Sequence, residues 1–142
     1  MKTSKFLFCL FTLFILSCSS DDDAGPDLTP LELLMGKWYL TAGTNNGSEV
    51  NLEDCQSDSF LEFLTSDDLQ LEWYESNCTT DGLATRTYTF IEATATTSAG
   101  LQVGGDGILG IGSFEIGKLT QTELILMYSS GSTSGSIIWE KE

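Results

Sequence analysis

The stretch Leu34-Met35-Gly36-Lys37-Trp38-Tyr39-Leu40 constrains the fold more than any other part of this chain. Just before it, Thr29-Pro30-Leu31-Glu32 has the form of a capping box. The Thr29 side chain can accept an N–H of the first turn, and Glu32 can reach back to the N-cap N–H. Pro30 falls at the first helical position, where its missing donor costs nothing. Leu31, Leu33, Leu34 and Met35 continue as an apolar short helix, and Gly36 stands where a left-handed C-cap is wanted. That helix has about six residues, too few to be stable alone, so packing must hold it. The period then changes to two: Trp38 and Leu40 share one face, and Lys37, Tyr39 and Thr41 share the other.

The rest reads as short strands and turns. Residues 42–54 are a loop by composition, with Gly43, Asn45, Asn46, Gly47 and Ser48. Residues 59–65 and 69–76 flank Ser66-Asp67-Asp68 as a hairpin. If Thr65 faces Leu69, Phe63 faces Leu71 and Leu61 faces Trp73, while Glu62 and Glu72 meet on the other side. The same register puts Cys55 nearly opposite Cys78. Residues 83–91 alternate cleanly, with Thr85, Thr87 and Thr89 on one face and Arg86, Tyr88 and Phe90 on the other. Residues 92–98 continue in threonine and alanine, and the glycines of residues 99–112 mark turns, bulges and corners. Residues 113–119, 122–129 and 136–142 complete the set, with Leu124, Leu126 and Tyr128 on one face. The expectation is an all-β chain of about eight short strands with one short N-terminal helix. An up-and-down antiparallel barrel is the leading architecture because closure removes sheet edges. A β-sandwich is the second.

The first thirty residues read as address and tether. Lys2 and Lys5 precede an apolar run over residues 6–16, interrupted only by Thr12. The run is too short to span a bilayer and has the length of a signal-peptide core. It ends in Ile15-Leu16-Ser17-Cys18, which resembles a bacterial lipobox, so residues 1–17 are expected to be a lipoprotein signal peptide and Cys18 the lipidated residue. Residues 18–30 are then an acidic tether, and residues 31–142 the folded domain. Ser19-Ser20-Asp21-Asp22-Asp23 reads as a solvated linker, and also resembles the acidic export signal of Bacteroidetes lipoproteins. That resemblance implies the outer membrane, with the domain exposed at the cell surface.

From Cys18 onward the chain keeps all 21 acids and four cations, Lys37, Arg86, Lys118 and Lys141, a net charge of −17. Such a surface repels nucleic acid and anionic headgroups, so membrane attachment is expected through acyl chains alone. Cys9 leaves with the signal and Cys18 takes lipid. Cys55 and Cys78 remain, and in an oxidising compartment a disulfide between them is expected. The chain has no histidine, so nucleophile–histidine catalysis is impossible, and two cysteines alone make no zinc site. Nothing marks out a catalytic carboxylate pair, and neither an enzyme nor a metal or cofactor is expected. Gly105-Asp106-Gly107-Ile108-Leu109-Gly110 matches a dinucleotide-binding pattern in form, but no βαβ unit surrounds it.

A short helix followed by Gly36-Lys37-Trp38 at the head of the first strand resembles the lipocalin and fatty-acid-binding superfamily, and most of all the small lipocalin-like lipoproteins of Bacteroidetes. In that family the tryptophan packs across the closed end of the barrel, which implies that role for Gly36 and Trp38. Many lipocalins place an arginine from the last strand over this tryptophan; here only Lys141 is available. The resemblance implies a monomeric binding protein holding a small apolar ligand. The shared parity of the strands puts Trp73, Tyr88, Phe90 and Leu126 on its wall. Arg86 either meets a polar or anionic end of that ligand or is an exposed strand residue. The alternative is a packed barrel serving as a protein- or glycan-interaction module.

Overall fold

The computed structural model describes residues 28–142. The signal segment, Cys18 and the tether as far as Asp27 lie outside them. The elements are α1 (Pro30–Leu34), β1 (Gly36–Asn45), β2 (Ser48–Glu49), β3 (Phe60–Phe63), β4 (Asp68–Glu72), β5 (Ala84–Ile91), β6 (Gly100–Val103), β7 (Ser113–Leu119), β8 (Glu123–Ser130) and β9 (Thr133–Lys141), with a 3₁₀ turn over Asp54–Asp58. From β3 to β9 each strand pairs antiparallel with its chain neighbour, and β1 pairs with both β3 and β9. The result is a closed eight-strand up-and-down barrel, with β2 a two-residue flap on the end of β1. Antiparallel order puts α1 and the β3–β4, β5–β6 and β7–β8 turns at one end, the helix end. The β1–β3, β4–β5, β6–β7 and β8–β9 connections gather at the other, the loop end.

The helix end follows the local chemistry of its sequence. The Glu32 N–H donates to Thr29 Oγ1 at 3.3 Å, and the Thr29 N–H donates to Glu32 Oε2 at 2.8 Å, completing the capping box. Gly36 follows the C-cap residue Met35 with φ +105°, a conformation that disfavours any side chain. The buried Trp38 indole N–H donates to Leu34 O at 2.7 Å, which fastens α1 to the barrel. Lys141 takes the place over the tryptophan: its Nζ lies 4.9 Å from the Trp38 ring centroid and donates to Leu33 O at 2.8 Å. Burial pushes the Lys141 pKa down. Truncating a core tryptophan placed like this typically costs roughly 3–5 kcal/mol.

The core fills the helix-end half. Leu40, Leu61, Leu69, Leu101, Leu124 and Trp139 are all buried there with Trp38. Three expectations need correction. The first strand does not give way to a loop at Ala42: β1 runs on to Asn45 because β9 pairs with it over that length, with a bulge between Leu40 and Ala42. Asn46-Gly47, both at positive φ, then turn the chain into β2. The hairpin of β3 and β4 is offset by two residues from the expected register. Phe63 faces Leu69, Leu61 faces Leu71, and Glu62 faces Gln70 rather than Glu72. A shift of two leaves every side chain on its expected face, so the alternation alone does not decide between these registers. Finally, the glycine-rich stretch hides a strand, β6, in which Leu101 and Val103 are buried. A Cβ on Gly100 would lie 3.1 Å from Phe114 O on β7, a tight contact.

Candidate binding cavity

Where the core stops, the loop end holds a cavity of about 460 Å³. Its floor and walls come from widely separated residues. Leu40 and Ile137 lie on β1 and β9, Trp73 follows β4, and Leu109 and Ile111 come from the β6–β7 connection. Val50, Leu52 and Gln56 come from the segment between β2 and β3. The Trp73 ring meets the buried Trp139 edge-on, with centroids 6.4 Å apart, and so continues the core upward. Trp139 Nε1 has no hydrogen-bond partner among the described residues.

Three local devices shape the opening. The first is the contact of Tyr128 with Gly135, its pairing partner on β9; the Tyr128 hydroxyl reaches on to Thr44 O at 3.4 Å. The second is the Cys55–Cys78 disulfide, with Cα atoms 5.6 Å apart. It ties the 3₁₀ turn that carries Gln56 to the connection that begins with Trp73. The third is the β6–β7 connection. Leu109 is held at φ +54°, unusual for a bulky residue. A Cβ on neighbouring Gly107 would collide with the Ile111 backbone. Leu109 is 46% exposed and Val50 44%, and both border the cavity. These two side chains add apolar surface to the rim of the hollow.

Of the residues that the alternation of the strands places on a common wall, only Trp73 lines this cavity. Tyr88 does face inward but sits in the filled half. It is 3% exposed, its ring packs edge-on to Phe63 at 5.0 Å, and its hydroxyl donates to Thr65 O at 2.7 Å. Phe90 lies further toward the helix end, where it and Tyr88 border a separate hollow of about 550 Å³ beside Leu31 and Ser66. Leu126 is fully buried core. Arg86 turns to the β6–β7 connection instead. Its Nη2 is 3.7 Å from Asp106, its Nη1 donates to Thr85 O at 3.1 Å, and its side chain is 26% exposed. It does not line the cavity. For Tyr88, Phe90 and Leu126 the physical reason is the same: alternation assigns a side chain to a face of the sheet but not to a height along the barrel axis. Arg86 is at the cavity's end of the barrel, but its side chain is taken up by the β6–β7 connection. The residues that do border the cavity include Val50, Leu52 and Leu109, which lie outside the periodic segments and carry no pattern to announce them.

An eight-strand antiparallel barrel, closed by helix and tryptophan at one end and hollow at the other, defines the calyx-forming class of binding folds. Residues 34–126 match the family model of the lipocalin-like domain, and the chain belongs to that family. Among solved structures, a lipocalin-like protein from Bacteroides uniformis ATCC 8492 is similar, with a TM-score of 0.51 and 16% identity, over 78% of this chain and 99% of that one. At that identity the likeness carries the fold alone. No curated protein matches.

Proposed function

We propose that this is a lipid-anchored binding protein of the bacterial outer membrane, exposed at the cell surface, which holds a small, mainly apolar ligand in the loop-end cavity. The observation that carries the reading is the cavity itself. Its volume of about 460 Å³ lies within the roughly 300–1,000 Å³ usual for small-ligand sites. Its lining is mostly aliphatic and aromatic, with a few polar groups able to orient a guest. The anchor and location rest on the apolar run ending at Cys18 and on the acidic residues after it. A wider hollow of about 960 Å³, bordered mainly by serine, threonine and glycine, is a weaker candidate because it lies more open to solvent and has the Glu115 carboxylate on its border.

Native mass spectrometry of protein purified from its own host, without added lipid, tests the ligand. A discrete mass above that of the processed chain, lost on denaturation and reduced in a Trp73→Ala variant, is the expected result. A bare chain mass, together with no uptake of apolar dyes by folded protein, would leave the alternative, a barrel working through its outer surface.

A further inference from the structure

Resting on the reading of the loop-end cavity as a ligand site, we propose that the site selects by charge. It takes an uncharged ligand, an apolar body with one or two hydroxyl, carbonyl or amide groups, and turns away carboxylates. Two independent features carry this. The first is the lining. Its polar side chains are Thr44, Gln56, Tyr128, Ser130, Thr133 and Ser136, all neutral, and no charged side chain borders the cavity among the described residues.

The second is the distribution of charge around the entrance. Glu49, Glu53, Asp54 and Asp58 lie on the connection from β1 to β3, Glu75 and Asp81 on the connection from β4 to β5, and Asp106 on that from β6 to β7. None of these segments contains a lysine or arginine. Three of the four cations lie elsewhere: Lys37 and Lys141 are at the helix end, and Lys118 pairs with Glu123 beside the β7–β8 turn. Arg86 alone reaches the loop end, where it leans on Asp106 under the β6–β7 connection, with its Nε buried and unpartnered among the described residues, and does not border the cavity.

A carboxylate approaching this end therefore moves against a field of its own sign, screened by salt but not removed at short range. Once inside it would find hydroxyl donors and no counter-charge, and an unpaired charge in an apolar site is far more costly than a hydrogen-bonded neutral group. An amine is drawn to the rim by the same carboxylates, yet it too lacks a partner within. A neutral hydroxyl or amide meets neither obstacle and can exchange hydrogen bonds with the threonine, serine, tyrosine and glutamine side chains.

The test compares decanol, decanoate and decylamine, which share one chain and differ in charge. Each is titrated against unlipidated full-chain protein carrying Cys18→Ala, near neutral pH, by displacement of the neutral dye Nile red. Decanol is expected to bind at least about tenfold more tightly than decanoate. Decylamine is expected to bind weakly and to lose what affinity it has as salt is raised. Thr133→Lys, which adds a cation to the lining, is expected to narrow the decanol-to-decanoate ratio by about tenfold. Decanoate within about threefold of decanol, a salt-insensitive preference for decylamine, or a ratio unmoved by Thr133→Lys would each overturn the charge selection while leaving the cavity as a site. Failure of folded protein to take up Nile red or any of the three would remove the cavity reading, and this inference with it.

Discussion

Tyr128 occupies the space that any side chain at residue 135 would need. A Cβ built on Gly135 would fall 2.5 Å from the Tyr128 hydroxyl and would collide with the Thr44 carbonyl. With this position bare, the Tyr128 hydroxyl reaches over β9 to the Thr44 carbonyl on β1, and Tyr128 becomes part of the cavity wall. Gly135→Ala should therefore destabilise the barrel by about 1–3 kcal/mol, the usual range for overpacking. Urea unfolding checks this. Adding Tyr128→Ala should restore only part of the loss, because the carbonyl contact is backbone and stays.

Leu109 gives the clearest separation between stability and binding. Its left-handed backbone carries a strain that glycine would not feel. Leu109→Gly should leave stability unchanged or raise it by up to about 1 kcal/mol. The same change removes an apolar lip from the cavity rim, so affinity for an apolar dye should fall. A parallel loss of stability and binding would count against a rim role.

The disulfide joins two connections that both contribute to the cavity. Its loop spans a sequence separation of 23, for which the chain-entropy model gives roughly 3 kcal/mol. Cys55→Ser with Cys78→Ser should lower stability by that order. Dye binding should weaken even under conditions where the variant remains folded, since the 3₁₀ turn and the Trp73 segment are no longer tied. Mass before and after reduction and alkylation verifies the bond itself.

Tyr88 should leave a mark on alkaline stability. Burial, reinforced by Asp67 and Asp68, pushes its pKa up from 10.0 to about 12 in the folded state. A phenol whose folded pKa is raised stays protonated longer when folded. The associated stability is complete below pH ~10 and is lost as pH rises from ~10 through ~12. Tyr88→Phe should abolish this part of the alkaline decline. Urea midpoints compared across that window should converge for the two proteins as the pH rises, with the wild type falling faster. Parallel slopes would contradict the assignment.

The anchor prediction concerns Cys18, outside the described residues. Cys18→Ala should move the protein from the membrane fraction to the soluble one, because a thioether lipid needs that sulfur. Retention in the membrane fraction would refute lipidation there.

What the sequence determined by itself is chemistry between residues close together in the chain. The Thr29–Glu32 cap needs only a sequence separation of three, and Gly36 needs only its own φ. The alternation of Trp38 with Leu40, and of Arg86, Tyr88 and Phe90 with the threonines between them, assigns faces correctly wherever the pleat is regular. The Cys55–Cys78 pair was legible because a hairpin brings its own two ends together.

Tertiary structure decided what depends on partners far away in the chain. Pairing with β9 kept Ala42 to Asn45 in a strand despite a loop-like composition, and neighbours on both sides drew Gly100 to Val103 into the sheet. The register of β3 on β4 lies two residues from the expected one, a choice that alternation leaves open because both registers bury the same faces. The cavity was the least legible feature. Its wall takes in Leu40, Val50, Trp73, Leu109 and Ile137, which meet only when β1 closes on β9. Period-two alternation tells a side chain to face the lumen, while barrel closure, strand length and the height of each residue along the axis determine whether it meets packed core or open space.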